Sequence, residues 1–315
     1  SESERDLLTD EMSAEWFEKK IDWIKQNQNN NQPFFIATGF IRPHTPLVVP
    51  KKYYDKFPLN KIKITEKLKD DLIDTKFREN LKETRGHKAW RLLSQGYGSE
   101  DKGLKIFTQA YLASINFADE MVGRVLDALD KSIYAKNTIV ILFSDHGYLL
   151  GQKDHLWKYN LWEETTRVPL IIRQPNNDNN AGKTVAHPVS LIDIFPTISD
   201  YCSLKGNTLK SEKGKNPNGF SLKPFVEKPE LETWDGPEEA LTVVASWKSK
   251  LPEKQHLAIR TERYRYIKYF DGSEELYDHE KDSNEWENLA EDKNYREIVK
   301  EMRIRLQKRT DNYID

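Results

Sequence analysis

Thr138-Ile139-Val140-Ile141-Leu142-Phe143-Ser144-Asp145-His146-Gly147 is the stretch on which the fold turns. Its first six residues are β-branched, aliphatic or aromatic, a run of strand length that reads as a strand buried on both faces. An acid, an imidazole and a glycine follow at the C-terminal end, where open α/β sheets hold their ligands. Upstream, Phe107, Tyr111, Ile115, Ala118, Val122, Val125 and Leu129 recur at steps of three and four, which predicts a long amphipathic helix. Earlier still, Pro33 to Phe40 reads as another buried strand, preceded by a helix that places Met12, Trp16, Phe17, Ile21 and Ile24 on one face. Downstream, Val168-Pro169-Leu170-Ile171-Ile172 reads as a third strand. Helices alternating with such strands imply an α/β fold with a mostly parallel sheet covered on both faces.

The tail has a different rhythm. Leu257 to Tyr269 is rich in aromatic and β-branched residues, Asp271-Gly272 marks a hairpin turn before Leu276-Tyr277, and Ile298, Val299, Met302 and Leu306 share one face of a final helix. This predicts a smaller antiparallel subdomain over residues 238–315, after a larger domain over residues 1–237 whose last part, Lys205 to Pro237, reads as surface loop. The charged stretch from Lys61 to Gly103 has weak periodicity and reads as an excursion over the sheet edge.

Composition narrows the function. With 49 basic and 51 acidic residues in 315, bulk charge gives no reason to expect a nucleic-acid partner. No apolar run approaches the roughly 20 residues of a membrane span. The opening Ser1-Glu2-Ser3-Glu4-Arg5 is not a basic-then-apolar leader. Cys202 is the single cysteine, which excludes an internal disulfide and a cysteine-rich zinc site; its apolar flank predicts a buried structural thiol.

Three features carry chemistry. Asp145 and His146 offer an anionic oxygen and an imidazole nitrogen, a plausible pair of metal ligands; a strand-end Asp capping a turn beside an exposed His is an equal reading on local sequence. Gly147 would let the chain turn sharply beneath them. Lys158, in Leu156-Trp157-Lys158-Tyr159-Asn160, could reach an anionic ligand as a point charge, although alone it reads as a surface lysine. His44 lies in Arg42-Pro43-His44-Thr45-Pro46, where two prolines stiffen the loop as a held proton donor or anion contact requires; a rigid structural loop with an outward His is the alternative.

Taken in order, Gly39-Phe40-Ile41-Arg42-Pro43-His44-Thr45-Pro46, Gln109-Ala110-Tyr111 with Ala113-Ser114 and Asp119, Ser144-Asp145-His146-Gly147 with Leu150-Gly151, Trp157-Lys158, Thr166-Arg167-Val168-Pro169-Leu170, Val189 to Thr197, Ile259 to Tyr266 and Leu276-Tyr277-Asp278 resemble one family. They resemble the formylglycine-dependent sulfatases of the alkaline phosphatase superfamily, in the iduronate 2-sulfatase-like branch, along nearly the whole chain. The resemblance implies an alkaline-phosphatase-like fold and hydrolysis of a sulfate ester on a sugar, such as a 2-O-sulfated uronic acid or another sulfated polysaccharide unit. It implies Asp145 and His146 at a calcium site, Lys158 against the sulfate group, His44 beside the scissile ester oxygen, and Arg42 and Trp157 near the sugar.

The family's nucleophile is a Cys or Ser oxidised to formylglycine in a Cys/Ser-x-Pro/Ala-x-Arg pattern, with an Asp-Asp pair nearby on the first strand. Neither is found here: Cys202-Ser203-Leu204-Lys205-Gly206 lacks the Pro and the Arg, and Ser1-Glu2-Ser3-Glu4-Arg5 has Ser in the Pro/Ala place. Position 1 thus corresponds to the middle of a family member. The resemblance implies a partner, the N-terminal portion of the same enzyme, without which this chain is inactive, and a periplasmic or secreted location. A phosphatase or phosphonate hydrolase of the same superfamily, and a non-catalytic carbohydrate- or partner-binding subunit, are the competing functions.

Overall fold

The computed structural model describes residues 5–27, 32–204, 218–245, 251 and 254–314. They form two compact units, one of residues 1–66 and 90–139, the other of residues 67–89 and 140–315. The boundary expected at 237/238 falls inside the second unit.

The first unit is helical. Helix α1 (Thr9–Asn27) packs on the 31-residue helix that is predicted around Phe107 to Leu129 and observed over Glu100–Asp130; with α2 (Lys51–Asp55), α3 (Arg78–Lys82, in the second unit) and α4 (Arg85–Gly96) before it, this is α5. Ser99 caps α5 by accepting from the Lys102 amide at 3.2 Å. Ala14, Val49, Tyr53, Ala113, Phe117 and Met121 form the core. Both long helices were expected, yet their buried faces are rotated. Met12 and Trp16 of α1 are 57% and 48% exposed, and Ile115 of α5 is 41% exposed, because the faces that meet carry Ala14, Phe17, Phe117 and Met121 instead. The strand expected over Pro33 to Phe40 is irregular backbone that pairs with no strand among the described residues, with Phe35 72% exposed. Its apolar run was misleading because a strand also needs neighbours for its N–H and C=O groups.

In the second unit β1 (Val140–Phe143) pairs with β4 (Leu170–Arg173), Leu142 facing Ile171 and Phe143 facing Leu170. The pairing is antiparallel, so the parallel neighbours expected of β1 are not among the described residues. Between them a short hairpin joins β2 (Leu149–Leu150) to β3 (Leu156–Trp157), followed by the single-turn helix α6 (Glu163–Thr166). Helices α7 (Ile194–Tyr201) and α8 (Lys223–Glu227) follow. Cys202, expected to be buried, is exposed, because α7 ends at Tyr201 and leaves it outside the apolar face. Of the loop expected over residues 205–237, residues 205–217 lie outside the described set; α8 beyond it buries Phe225.

The tail is as expected. Strands β5 (Ala240–Val244), β6 (His256–Arg260), β7 (Tyr264–Lys268) and β8 (Glu274–Asp278) form an antiparallel sheet in that order. The β7–β8 hairpin turns at Asp271-Gly272, where Gly272 has φ +89°, a left-handed backbone open to glycine at no steric cost. One face packs on α9 (Arg296–Ile314) through Ile259, Tyr266, Leu276, Val299, Met302 and Leu306. The other face, with Ala258, Ile267, Tyr269 and Tyr277, buries Trp162 together with Leu72, Phe77 and Leu81. Leu72, Phe77 and Leu81 of the charged stretch expected to run over the sheet edge are therefore core of this unit, while neighbours such as Ile73, 74% exposed, face solvent.

Candidate active site

Asp145 and His146 sit just past the end of β1. Ser144 anchors the start of the turn, its amide donating to the Pro169 carbonyl at 3.3 Å. The Gly147 and Tyr148 amides donate to the Thr165 and Glu164 carbonyls of α6 at 2.9 and 2.7 Å. Gly147 is required for space and not for a sharp turn: a Cβ there would lie 2.0 Å from the Glu164 carbonyl oxygen, while its φ is outside the left-handed region. The turn is thus stapled to α6 by its own backbone.

His146 Nδ1 lies 2.7 Å from its neighbour's carbonyl at Gly147, and Nε2 lies 2.8 Å from Lys158 Nζ. An ammonium can only donate, so Nε2 accepts and Nδ1 carries the proton. Asp145 is different. Its carboxylate is 81% exposed and, among the described residues, lies 3.5 Å from His146 Nε2. Asp145 therefore fits a hard, oxygen-preferring cation such as calcium as the ring stands, whereas His146 fits only once Lys158 leaves Nε2.

Lys158 follows β3, whose last residue Trp157 has φ +74°; Tyr159, on its other side, has φ +71°. Two non-glycine residues in left-handed backbone flanking one lysine mark a conformation that the surroundings impose. The Trp157 indole N–H is shut off from solvent and has no hydrogen-bond partner among the described residues. Just beyond, Arg265 donates to the Leu161 carbonyl at 2.9 Å, and the Glu163 amide donates to Glu285 Oε2 at 2.9 Å.

Glu163, His279 and Glu285 come within 4.8 Å of one another, a spacing that could hold a cation. Here arginines already neutralise the carboxylates. Arg265 binds Glu163 Oε2 and lies 2.7 Å from Glu285 Oε1, and Arg260 Nε lies 3.0 Å from Glu163 Oε2. Burial opposes the charge of Glu163, but Arg265 and Arg260 outweigh it and hold its pKa at about 2. For Glu285 burial is likewise overcome by Arg265 and His279, and its pKa is lowered. The cluster is an ion-pair hub.

His44 and Arg42 belong to the first unit. The Ile41 and Arg42 amides both donate to the carboxylate of Asp10, each at 2.9 Å, Arg42 Nε donates to the Val48 carbonyl at 3.0 Å, and His44 is exposed with Nδ1 2.5 Å from the Thr45 carbonyl. Asp10 is 2% exposed and is the loop's real anchor, a role concealed by its place in the first turn of a helix, where an acid is ordinary. The structure brings Lys158 and His146 into hydrogen-bond contact, with the Asp145 carboxylate 3.5 Å from His146 Nε2, and sets Arg42 and His44 on one braced loop of the other unit.

Residues 4–203 match the family model described as Sulfatase. The chain belongs to the sulfatase family. Residues 151–312 of this sulfatase-family chain also match the model described as N-sulphoglucosamine sulphohydrolase, C-terminal. A sulfatase of Formosa agariphila is 36% identical over 293 residues, which cover 91% of this chain and 52% of that protein. The iduronate 2-sulfatase of Mus musculus is 33% identical over 195 residues, 60% of this chain and 33% of that one. A solved structure bound to its substrate D-glucosamine-2-N,6-O-disulfate superposes with a TM-score of 0.74 at 22% identity, covering 96% of this chain and 70% of the other, a likeness of fold. The fold is thus alkaline-phosphatase-like, with the small antiparallel sheet and final helix at its C-terminal end. The chain spans about half the length of the curated relatives it matches.

Proposed function

We propose that this chain supplies the sulfate-gripping part of a sulfuric ester hydrolase acting on a sulfated sugar of glycosaminoglycan or algal type, in the iduronate 2-sulfatase-like branch. One observation carries the reading: an ammonium held by a neutral imidazole beside an exposed carboxylate, at the end of a sheet strand. Lys158 can move from His146 Nε2 to a sulfate oxygen by rotation of its side chain, exchanging a neutral acceptor for an anionic one. Asp145 would hold calcium and His146 would join it once Lys158 has turned to the sulfate. Calcium would supply positive charge for the sulfate oxygens, and formylglycine, whose precursor is not among these residues, the attacking hydroxyl. Trp157, next to Lys158, is a candidate wall for the sugar, and Arg42 and His44 are candidates for contact with the ester. A periplasmic or secreted location completes the proposal, on the resemblance. No helix among the described residues is long and apolar enough to cross a membrane.

The test is turnover of a sulfated disaccharide. Residues 1–315 alone are expected to be inactive and to become active when joined to the N-terminal portion that carries the nucleophile. In the joined enzyme Lys158→Ala lowers kcat/KM by about 10²–10³-fold, the cost of removing one preorganised charge contact. Asp145→Asn abolishes calcium binding by calorimetry. Full activity of Lys158→Ala, or turnover by residues 1–315 alone, refutes the proposal.

A further inference from the structure

We propose that Arg265 is a positioning residue for this site: its guanidinium fastens α6 and the segment before it, and α6 in turn holds the His146 turn and the Lys158 loop in register. The inference rests on the sulfate-contact reading of Lys158 given above. The chain of contacts lies within one unit and is continuous. Arg265, the second residue of β7, is 2% exposed; it donates to the Leu161 carbonyl at 2.9 Å and to Glu163 Oε2, and its Nε is ion-paired with Glu285 Oε1 at 2.7 Å. Glu285, fully buried, takes the Glu163 amide at 2.9 Å and faces His279 Nε2 at 2.9 Å. Trp162, between the two clamped residues, is fully buried and donates to Glu275 Oε2 at 3.0 Å.

From this anchored segment two arms emerge. One runs back through Asn160 and Tyr159 to Lys158, with Thr165 Oγ1 donating to the Asn160 carbonyl at 3.0 Å. The other is the pair of amides, Gly147 and Tyr148, that donate to the Thr165 and Glu164 carbonyls. The left-handed backbone at Trp157 and Tyr159 persists only while the surroundings over-determine it, and it lies between the β2–β3 pairing at Trp157 and the Asn160 carbonyl held by Thr165. Lysine cannot replace Arg265, because an ammonium lacks the planar fork that reaches a carbonyl and two carboxylates together.

Hydrogen exchange on the 315-residue chain, free of substrate, tests the brace. In Arg265→Lys the Gly147 and Tyr148 amides exchange at least about tenfold faster while the amides of β5–β8 stay within about twofold. Should that variant fail to fold, Glu163→Gln keeps the shape and removes the charge that Arg265 holds, and the same pattern is expected. In the joined enzyme Glu163→Gln lowers kcat at least about tenfold and leaves KM within about threefold. Unchanged exchange at Gly147 and Tyr148, equal acceleration of every amide, or an unchanged kcat overturns the inference. An inert Lys158→Ala beside a positive exchange result instead removes the functional reading and leaves the brace standing.

Discussion

Two of the three sheets described in the second unit, the β1–β4 pair and β5–β8, meet different surroundings, and the more apolar strands are the less covered ones. In β6, β7 and β8, Ala258, Ile259, Tyr266, Ile267 and Leu276 are all 0% exposed, covered on one face by α9 and on the other by Trp162 and its neighbours. In β1 and β4, Leu142, Phe143 and Ile171 are 36%, 48% and 56% exposed. Among the described residues one sheet is covered on both faces, and the other presents bare apolar surface and strand edges that no described strand pairs, features that soluble proteins ordinarily cover. The chemistry divides the same way. Asp145 and His146 stand at the end of the bare pair, and Arg265, proposed above to hold their turn, lies in the covered sheet. The difference teaches that apolar strand sequence measures what a strand can bury and not what the chain itself provides to bury it.

The largest effect that would sharpen this contrast belongs to the covered sheet. Leu276→Ala in β8 removes a fully buried side chain packed among Ile259, Tyr266 and Met302 and is expected to destabilise by about 2–5 kcal/mol in urea unfolding. A cost below about 1 kcal/mol would mean that this sheet relaxes freely and is not the covered half.

Much of this was legible in the sequence. The β7–β8 hairpin followed from Asp271-Gly272, and the order of motifs singled out Asp145, His146 and Lys158, which the structure places beside one another. What escaped had physical reasons. Which side of α1 and α5 is buried could not be read because both helices carry more apolar residues than one face holds, Met12 and Trp16 beside Phe17 and Ile21. The pairing of Pro33 to Phe40 depends on neighbours that its own residues do not specify. The hub of Glu163, Arg265 and Glu285 joins positions far apart in the chain, yet it left one signal: an arginine between Tyr264 and Tyr266 at a position whose neighbours read as core, where a charge must have a partner.

A second prediction probes the buried interior of the second unit by pH. Burial pushes the pKa of His155, fully enclosed in the second unit, down from 6.5 to about 4. The unfolded chain therefore takes up this proton first, so the stability that the neutral ring confers is complete above pH 6.5 and is lost as pH falls to 4. The loss is on the order of 3 kcal/mol. Glu163, held at about 2 against an ordinary 4.5, adds a lower window with the same sign, present above 4.5 and lost toward 2. Asp71 and Glu275, whose pKa values burial raises, oppose the trend, so the comparison is made between variants. Between pH 7 and pH 4 the urea midpoint of His155→Phe is expected to fall less than that of the unaltered chain. Parallel curves would place the acid-sensitive charge elsewhere.

The smallest effect is the most telling for the bare pair. Ile171 faces Leu142 across the β1–β4 pairing and points an apolar side chain outward. In residues 1–315 alone, Ile171→Ser exchanges one exposed side chain for another and should change stability by no more than about 0.5 kcal/mol. If the N-terminal portion proposed above covers this face, the same substitution in the joined enzyme costs about 1.5–3 kcal/mol, the value of a buried aliphatic side chain. The two numbers decide different things. A large cost in the chain alone would mean that β1 and β4 are already covered in solution, by a second copy for instance, and would erase the contrast between the sheets. A small cost in both settings would keep the contrast and remove this face from the place where the two portions meet.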